Sequence, residues 1–146
     1  MDAASITTDA PTPAVRLSRR MPATPASVAP LRRAVAALAQ EAGFEPERIE
    51  DIAVALSEVL TNVVLHAYRD RRLPGPVALA AALDGEALRV TVRDEGVGFS
   101  PRPDSPGLGL GLPLVESVAD EVEISASRPS GTVVSLRFDP AGGSAQ

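Results

Sequence analysis

The sequence predicts an α+β domain in which helices pack on one face of a mixed, mostly antiparallel sheet, giving a two-layer α/β sandwich. Three observations predict this fold class. Two predicted strands, residues 77–83 and 87–93, flank Asp84-Gly85-Glu86, which is a strong hairpin signal. Two amphipathic helical stretches precede the hairpin, and a third helix with two more strands follows it. The predicted order is therefore β-α-α-β-β-α-β-β.

The first strand and the first helix follow from local periodicity. Residues Val15–Arg19 alternate apolar and polar side chains, as in a half-buried strand. Ser27 is placed to cap the following helix, and Gly43 to end it. Within this helix the apolar residues recur at three- and four-residue spacing, at Leu31, Val35, Leu38 and Ala39.

The second helix is predicted from Pro46, which the first turn of a helix tolerates, to about Tyr68. Its wide apolar stripe consists of Ile49, Ile52, Leu56, Val59, Leu60 and Val63. Pro74-Gly75-Pro76 ends the segment before the hairpin. Beyond the hairpin, we expect a helix at residues 112–119 and strands at 122–127 and 132–138.

Composition excludes several kinds of chemistry. The 146 residues include no cysteine, which rules out disulfides, thiolate metal sites and cysteine nucleophiles. No lysine is present either, which rules out a lysine-containing phosphate loop and Schiff-base chemistry. The single histidine leaves no multi-histidine metal site, and the net charge of −5 argues against a protein that tracks nucleic-acid phosphates.

Length and patterning predict one domain, residues 14–139, between disordered tails at residues 1–13 and 140–146. No apolar run approaches the roughly 20 residues that span a bilayer. The first residues lack the basic and apolar regions of a secretory signal. We therefore expect a soluble, cytoplasmic protein with no membrane partner.

Three polar residues on the second helix are candidates for chemistry. Glu58, Asn62 and His66 lie four residues apart, so they share one side of the helix. A solvated polar stripe is the simpler interpretation for Glu58 or His66 alone, but Asn62 is a poor helix former with no evident capping task. An amide oxygen can bind Mg²⁺, and a carboxylate one turn away can orient or deprotonate a hydroxyl.

Two glycine-containing segments follow. The first segment, Asp94-Glu95-Gly96-Val97-Gly98, follows a predicted strand. At the strand end, Asp94 is placed to accept a hydrogen bond from an exocyclic amino group. The two glycines let the backbone pass close to a flat ligand. Gly107-Leu108-Gly109-Leu110-Gly111 precedes a helix whose first N–H groups suit phosphate. Each segment alone is also typical of an ordinary turn or linker.

Taken in order, these motifs resemble the GHKL ATPases, the Bergerat-fold ATP-binding family. The matching pattern is E-x-x-x-N, then D-x-G-x-G, then G-x-G-x-G, with Gly131-Thr132 before the last strand, and it covers about Val15 to Phe138. The small size, the segment 20–25 (RMPATP) and residues 55–68 (ALSEVLTNVVLHAY) are similar to the stand-alone anti-sigma factor serine/threonine kinases of the RsbW/SpoIIAB type.

The resemblance implies a role for each candidate residue. Asn62 would bind Mg²⁺ that bridges the ATP phosphates, and the catalytic residue Glu58 would be the general base or the orienting carboxylate for the substrate hydroxyl. Asp94 would hold the adenine amino group, with Thr132 supporting the same site, and His66 would lie at the edge. The remaining nucleotide contacts would be Gly96 and Gly98 along the adenine, and Gly107, Leu108, Gly109, Leu110 and Gly111 at the hinge of the ATP lid.

The resemblance also implies partners. The protein would sequester a sigma factor and phosphorylate an anti-anti-sigma (STAS-type) antagonist on serine or threonine, using ATP and Mg²⁺, with no direct nucleic-acid contact and a possible homodimer. The lid segment Ser100–Pro106 is short and proline-rich, with Arg102 as its one cation. This departure keeps open an alternative, a nucleotide-gated regulator that binds partners without catalysis.

Overall fold

A computed structural model describes residues 14–98 and 112–141. The predicted element order is confirmed for these residues. The predicted tail at 1–13, residues 142–146 of the predicted tail at 140–146, the lid and the glycines of 107–111 lie outside them. The elements are β1 (Val15–Pro22), α1 (Pro25–Glu41), α2 (Pro46–Asn62) with a π-helical turn (Val63–Ala67), β2 (Pro76–Asp84), β3 (Ala87–Asp94), α3 (Leu112–Val118), β4 (Glu121–Ala126) and β5 (Thr132–Phe138).

The five strands form one sheet in the order β1-β2-β3-β5-β4. All four pairings between the described strands are antiparallel, so the sheet is more uniform than the mixed sheet that was expected. The predicted hairpin joins β2 and β3, where Asp84 pairs with Ala87 and Gly85 takes a φ of 64°. A glycine suits this turn because other residues rarely adopt a positive φ. The hairpin places β3 at the centre of the sheet.

The core lies between one sheet face and the helices. Alternate residues of β2 and β3, such as Leu79, Val90 and Val92, are buried against the helices. Leu31 of α1 and Leu56 of α2 meet them with at most 1% exposure. Each such side chain contributes roughly 1.5–3 kcal/mol by leaving water. In the described ranges, none of the helices combines the length and the apolar character that a membrane crossing requires.

The first helix begins earlier than predicted. It starts at Pro25 after Thr24, and Ser27 lies inside its first turn instead of capping it. The fixed φ of proline favours the first helical position, so Pro25 sets the start. The buried Ser27 hydroxyl instead donates to the carbonyl of Pro22 at 2.6 Å, which ties α1 to the end of β1.

The second helix changes type near its end. It is α-helical to Asn62 and π-helical from Val63 to Ala67, so the predicted continuous α-helix to Tyr68 is wrong over its last turn. The Ala67 carbonyl accepts a hydrogen bond from the Val97 N–H at 2.8 Å. The π-helical turn therefore meets the segment that follows β3.

A buried arginine joins the second and third helices. The Arg48 guanidinium contacts the carboxylates of Asp51 and Asp120 and donates to the carbonyls of Val118 and Asp139 at 2.8 and 2.9 Å. Because Val118 ends α3, this network fixes the C-terminus of the helix that follows the glycine-rich segment. Without Arg48, the Asp120 carboxylate would be left largely buried without its charged partner, which would lower the free energy of unfolding.

Candidate functional site

The polar stripe of α2 lies at the edge of a cleft between this helix and the ends of the central strands. Glu58, Asn62 and His66 are all partly buried on the same helix side. Asn62 and His66 line the cleft, whereas Glu58, one turn towards the start of α2, does not. The structure therefore brings the amide and the imidazole to the cleft and leaves the carboxylate outside its walls.

Asp94 and Thr132 lie side by side at the ends of neighbouring strands. Arg93 pairs with Val133 in the register of β3 and β5, so the next residue of β3 lies beside the first residue of β5. Asp94 is 5% exposed and Thr132 is 7% exposed. The two side chains line the same cleft as Asn62. A carboxylate and a hydroxyl are thus held together at the end of an apolar sheet face.

The environment of Asp94 disfavours its charge. Burial raises the pKa of its carboxyl above the usual value, and the charge of Glu95 adds to this effect. The backbone N–H groups of Gly96 and Thr132 donate to the carboxylate and lower the pKa in opposition. The Gly96 bond, to Oδ1 at 2.9 Å, fixes the orientation of the carboxylate. A buried, oriented acceptor of this kind suits an amino group on a flat ligand.

Two glycines allow the close backbone contacts that build this end of the cleft. A Cβ atom on Gly96 would lie 1.9 Å from the Ala67 carbonyl oxygen. One on Gly131, whose φ is 108°, would lie 2.0 Å from the Asp94 carbonyl oxygen. Gly96 is not among the residues that line the cleft, so in this structure it braces the turn against α2. Gly98 does line the cleft.

Tyr68 fixes the same turn from behind. Its hydroxyl donates to the Pro76 carbonyl at 2.5 Å and accepts from the Glu95 N–H at 2.8 Å. Burial raises the pKa of the phenol, so the hydroxyl keeps its proton as a donor. An added Cβ on Gly75 would collide with the Tyr68 ring, at 2.6 Å from Cε1. The sequence alone marked Tyr68 as the end of a helix and of the family-like segment 55–68, without this bracing role.

The rest of the cleft is mostly apolar. Together with the solvent at its mouth it spans about 620 Å³. Its apolar walls, which the sequence predicted only as parts of helices and strands, are Val59, Val63, Ala67, Leu112, Ile124 and Val134. Arg69, which lies just after the π-helical turn, adds a cation to the cleft. An apolar slot with a few converging polar groups is typical of a nucleotide base site.

The donor set also fits Mg²⁺ delivered with a nucleotide. In residues 14–98 and 112–141, no group of three His, Asp or Glu side chains could hold a metal ion. Mg²⁺ usually keeps several waters and takes one or two protein oxygens together with substrate phosphates. The Asn62 side chain at the cleft offers one amide oxygen, a donor of the type that such a metal ion would take. The predicted phosphate contacts at Gly107, Leu108, Gly109, Leu110 and Gly111 lie outside the described residues.

Comparison with known proteins gives the same picture. Residues 21–138 match the family described as histidine kinase-like ATPase domain. The serine-protein kinase RsbW of Bacillus cereus is 32% identical over 124 residues, which cover 75% of this chain and 76% of the relative. The anti-sigma F factor of Clostridium acetobutylicum is 29% identical over 117 residues, 73% of this chain and 80% of the relative.

Solved structures show the same fold. The structure of the RsbU and RsbW domains of a Mycobacterium tuberculosis protein superposes with a TM-score of 0.64 and 25% identity, over 84% of this chain and 31% of that one. A blue-light activated histidine kinase of Erythrobacter litoralis gives a TM-score of 0.57 and 34% identity, over 67% of this chain and 32% of that one. The chain therefore belongs to the histidine kinase-like ATPase family, together with the RsbW serine-protein kinases.

Proposed function

We propose that this protein is an ATP-dependent serine/threonine protein kinase of the anti-sigma factor type. One observation carries the proposal: Asn62, Asp94 and Thr132, from three separate elements, line a single apolar cleft in a chain of this family. These are the groups that adenine and a metal-bound triphosphate require. Its relatives bear the names anti-sigma F factor and serine-protein kinase RsbW, which supports this activity over other functions of the fold.

Nucleotide binding divides the cleft into two ends. The oriented Asp94 carboxylate accepts from the adenine amino group, and Thr132 supports the same end through its hydroxyl. The adenine plane lies between apolar walls from α2, β4 and β5. The phosphates would extend towards Asn62, whose amide oxygen would hold the Mg²⁺ that comes with ATP, and the metal would supply positive charge against the phosphates. Arg69 adds a positive charge to the same cleft.

Phosphoryl transfer needs a hydroxyl acceptor and a base. The oxygen of a substrate serine or threonine forms a bond to the γ-phosphorus, the bond to the β–γ bridging oxygen breaks, and ADP leaves. The hydroxyl proton passes to Glu58, one helical turn from Asn62. Glu58 is partly exposed and lies outside the cleft walls, a position that suits an acceptor carried by a protein.

The partners follow from the family. The substrate is an anti-anti-sigma antagonist of the STAS type, and the protein also sequesters a sigma factor. Its place of action is the cytoplasm, without direct nucleic-acid contact. A homodimer is compatible with these roles. The names of the relatives, anti-sigma F factor and serine-protein kinase RsbW, support these two kinds of partner.

The decisive experiment measures transfer of radiolabelled γ-phosphate to a purified cognate antagonist in the presence of Mg²⁺. Glu58→Gln keeps the size of the side chain and removes the base, so transfer falls by roughly 10²–10⁴-fold. Glu50→Gln is the matched control, because Glu50 is exposed on the same helix and away from the cleft. Wild-type protein that binds ATP and partner but transfers no phosphate would instead support the non-catalytic, nucleotide-gated regulator.

A further inference from the structure

A second concave surface lies behind the turn that carries Asp94. We define it as the basic groove, lined by Arg71, Arg93, Arg128, Glu95 and Ser130. These residues come from the segment after α2, the end of β3 and the loop between β4 and β5. Together with the solvent at its mouth the groove spans about 630 Å³. The proposed nucleotide and transfer chemistry uses none of these side chains.

The groove is strongly positive in an acidic protein. Three exposed arginines line it against one carboxylate, that of Glu95. A fourth arginine, Arg20, already pairs with the Glu95 carboxylate at 3.4 Å. Within the described ranges, no carboxylate lies within 4.0 Å of the Arg93 or Arg128 guanidinium groups. The groove therefore concentrates positive charge while the whole chain carries −5.

Part of the groove is held in place before any partner arrives. The Arg71 guanidinium lies 4.8 Å above the Tyr68 ring and donates to the Glu95 carbonyl at 3.3 Å. The Ser130 hydroxyl donates to the same carbonyl at 3.1 Å. A guanidinium already fixed by stacking loses less conformational freedom when it binds a ligand. This arrangement favours binding over a merely solvated set of charges.

From this charge and geometry we infer that the basic groove binds an acidic segment, rich in Asp and Glu, of a protein partner. Guanidinium groups pair with carboxylates through two parallel hydrogen bonds, and three guanidinium groups that line one groove offer partners for several carboxylates of a peptide. The Glu95 carboxylate and the overall negative charge disfavour a continuous phosphate backbone. The inference rests on the proposed function for the view that the partner is a protein.

The test locates binding directly by NMR on ¹⁵N-labelled full-length protein. The probe is the peptide acetyl-Glu-Glu-Gly-Glu-Glu-amide, titrated while the arginine Nε–Hε signals are followed. We expect saturable chemical-shift changes at Arg71, Arg93 and Arg128. We expect none at Arg16, which lies near the start of β1, at the opposite end of the strand from Arg20. Added salt should weaken the interaction because the charges are exposed. Shifts spread evenly over all arginines, or no saturable shifts, would overturn the inference.

Variants make the test quantitative. The double substitution Arg93→Gln/Arg128→Gln should weaken peptide binding by roughly tenfold, since exposed pairs contribute modestly and two are lost. Arg16→Gln removes the same kind of charge elsewhere and should change binding less than twofold. Equal losses in both proteins would contradict a groove-specific site. Tighter binding of inorganic phosphate or of single-stranded DNA than of the peptide would contradict the acidic-peptide assignment.

A separate titration keeps this inference distinct from the proposed function. ATP binding is measured on the double variant and on the wild type in the presence of Mg²⁺. Normal ATP binding with lost peptide binding supports the groove as a partner site. If the wild type binds ATP and transfers phosphate but does not bind the peptide, the inference about the groove is wrong and the proposed function stands. If the wild type does not bind ATP, the proposed function is wrong.

Discussion

The two ends of the candidate nucleotide site are built in different ways. At the adenine end, Asp94 is buried, fixed by a hydrogen bond from Gly96 and enclosed by backbone contacts that leave no room for a side chain. At the transfer end, Glu58 and Asn62 project from a helix face and are partly exposed. In residues 14–98 and 112–141, neither side chain has a hydrogen-bond partner.

This difference separates recognition from chemistry. A base-recognition group must keep one geometry, so it is placed where the backbone itself determines its position. Groups that meet phosphates and a substrate hydroxyl act on ligands that arrive and leave, so they lie on an accessible face of α2. Substitutions that disturb the close backbone contacts of the adenine end should therefore affect stability and binding together, whereas those that change only a group facing the ligand should affect binding or transfer with little effect on folding.

The largest loss of stability and binding is expected when one carbon atom is added at Gly96. Gly96→Ala would place a Cβ 1.9 Å from the Ala67 carbonyl oxygen, so backbone must move. We expect the free energy of unfolding to fall by about 3 kcal/mol or more, with loss of ATP binding. Urea unfolding followed by circular dichroism measures the first quantity, and calorimetric titration measures the second.

Gly43→Ala is the matched control for this change. Gly43 has a φ of 91° with no atom within 4 Å of an added Cβ, so alanine there meets backbone strain without a collision. The expected cost is about 1–2 kcal/mol, with ATP binding retained. A Gly96→Ala protein as stable as Gly43→Ala would mean that the adenine end is not rigidly built.

A smaller effect is expected from Asp94→Asn, which separates affinity from stability. Losing a charge-assisted hydrogen bond to adenine costs roughly 1.5–3 kcal/mol, a ten- to hundredfold weaker ATP affinity. The stability at neutral pH should not fall, because the raised pKa of Asp94 means that burying its charge opposes folding. Calorimetry and thermal unfolding of the same samples check both statements. A variant that loses stability and keeps affinity would contradict the assignment of Asp94 to adenine.

Acid should weaken adenine binding gradually. The Asp94 carboxyl would accept the adenine amino group most strongly when it is ionised, and burial raises its pKa above the ordinary 3.8. The affinity for adenine is therefore greatest above the raised pKa of Asp94 and falls as the pH drops through that pKa. This fall begins at a higher pH than it would for an exposed aspartate. Adenosine is the probe, since it has no titrating phosphate, and a His66→Gln background removes the single histidine. The Asp94→Asn variant in the same background should lack this loss of adenosine affinity. If its affinity falls with pH as that of the protein with Asp94 does, the mechanism is contradicted.

Local patterns in the sequence predicted most of the fold. The hairpin at Gly85 and the apolar stripes of α1 and α2 depend on neighbours in the chain, so their periods are readable. The positions of Asn62, Asp94 and Thr132 followed from the family resemblance, and the cleft shows that they come together.

Other features depend on distant contacts and could not be predicted. The Tyr68 hydroxyl meets the Glu95 N–H across 27 residues, and Arg48 meets Asp120 across 72. The basic groove likewise combines Arg71, Arg93 and Arg128 from three separate segments. No local spacing joins these residues, because only the sheet order places them together. The π-helical turn was equally hidden, since its composition is that of an ordinary helix.

The smallest effect on stability is expected at Asn62, which tests the other side of the comparison. Asn62 is a partly exposed, poor helix former at the end of α2, and alanine is the best helix former. The free energy of unfolding should therefore change by about 0.5 kcal/mol or less in Asn62→Ala. If the amide oxygen binds Mg²⁺, the variant loses the gain in ATP affinity that Mg²⁺ gives the wild type, while its metal-free affinity stays the same. Thr61→Ala, an exposed neighbour, should retain that gain. Titrations of ATP with and without Mg²⁺ decide the matter: an undiminished Mg²⁺ effect would remove Asn62 from the metal site, and a large loss of stability would show that the transfer end is built as rigidly as the adenine end.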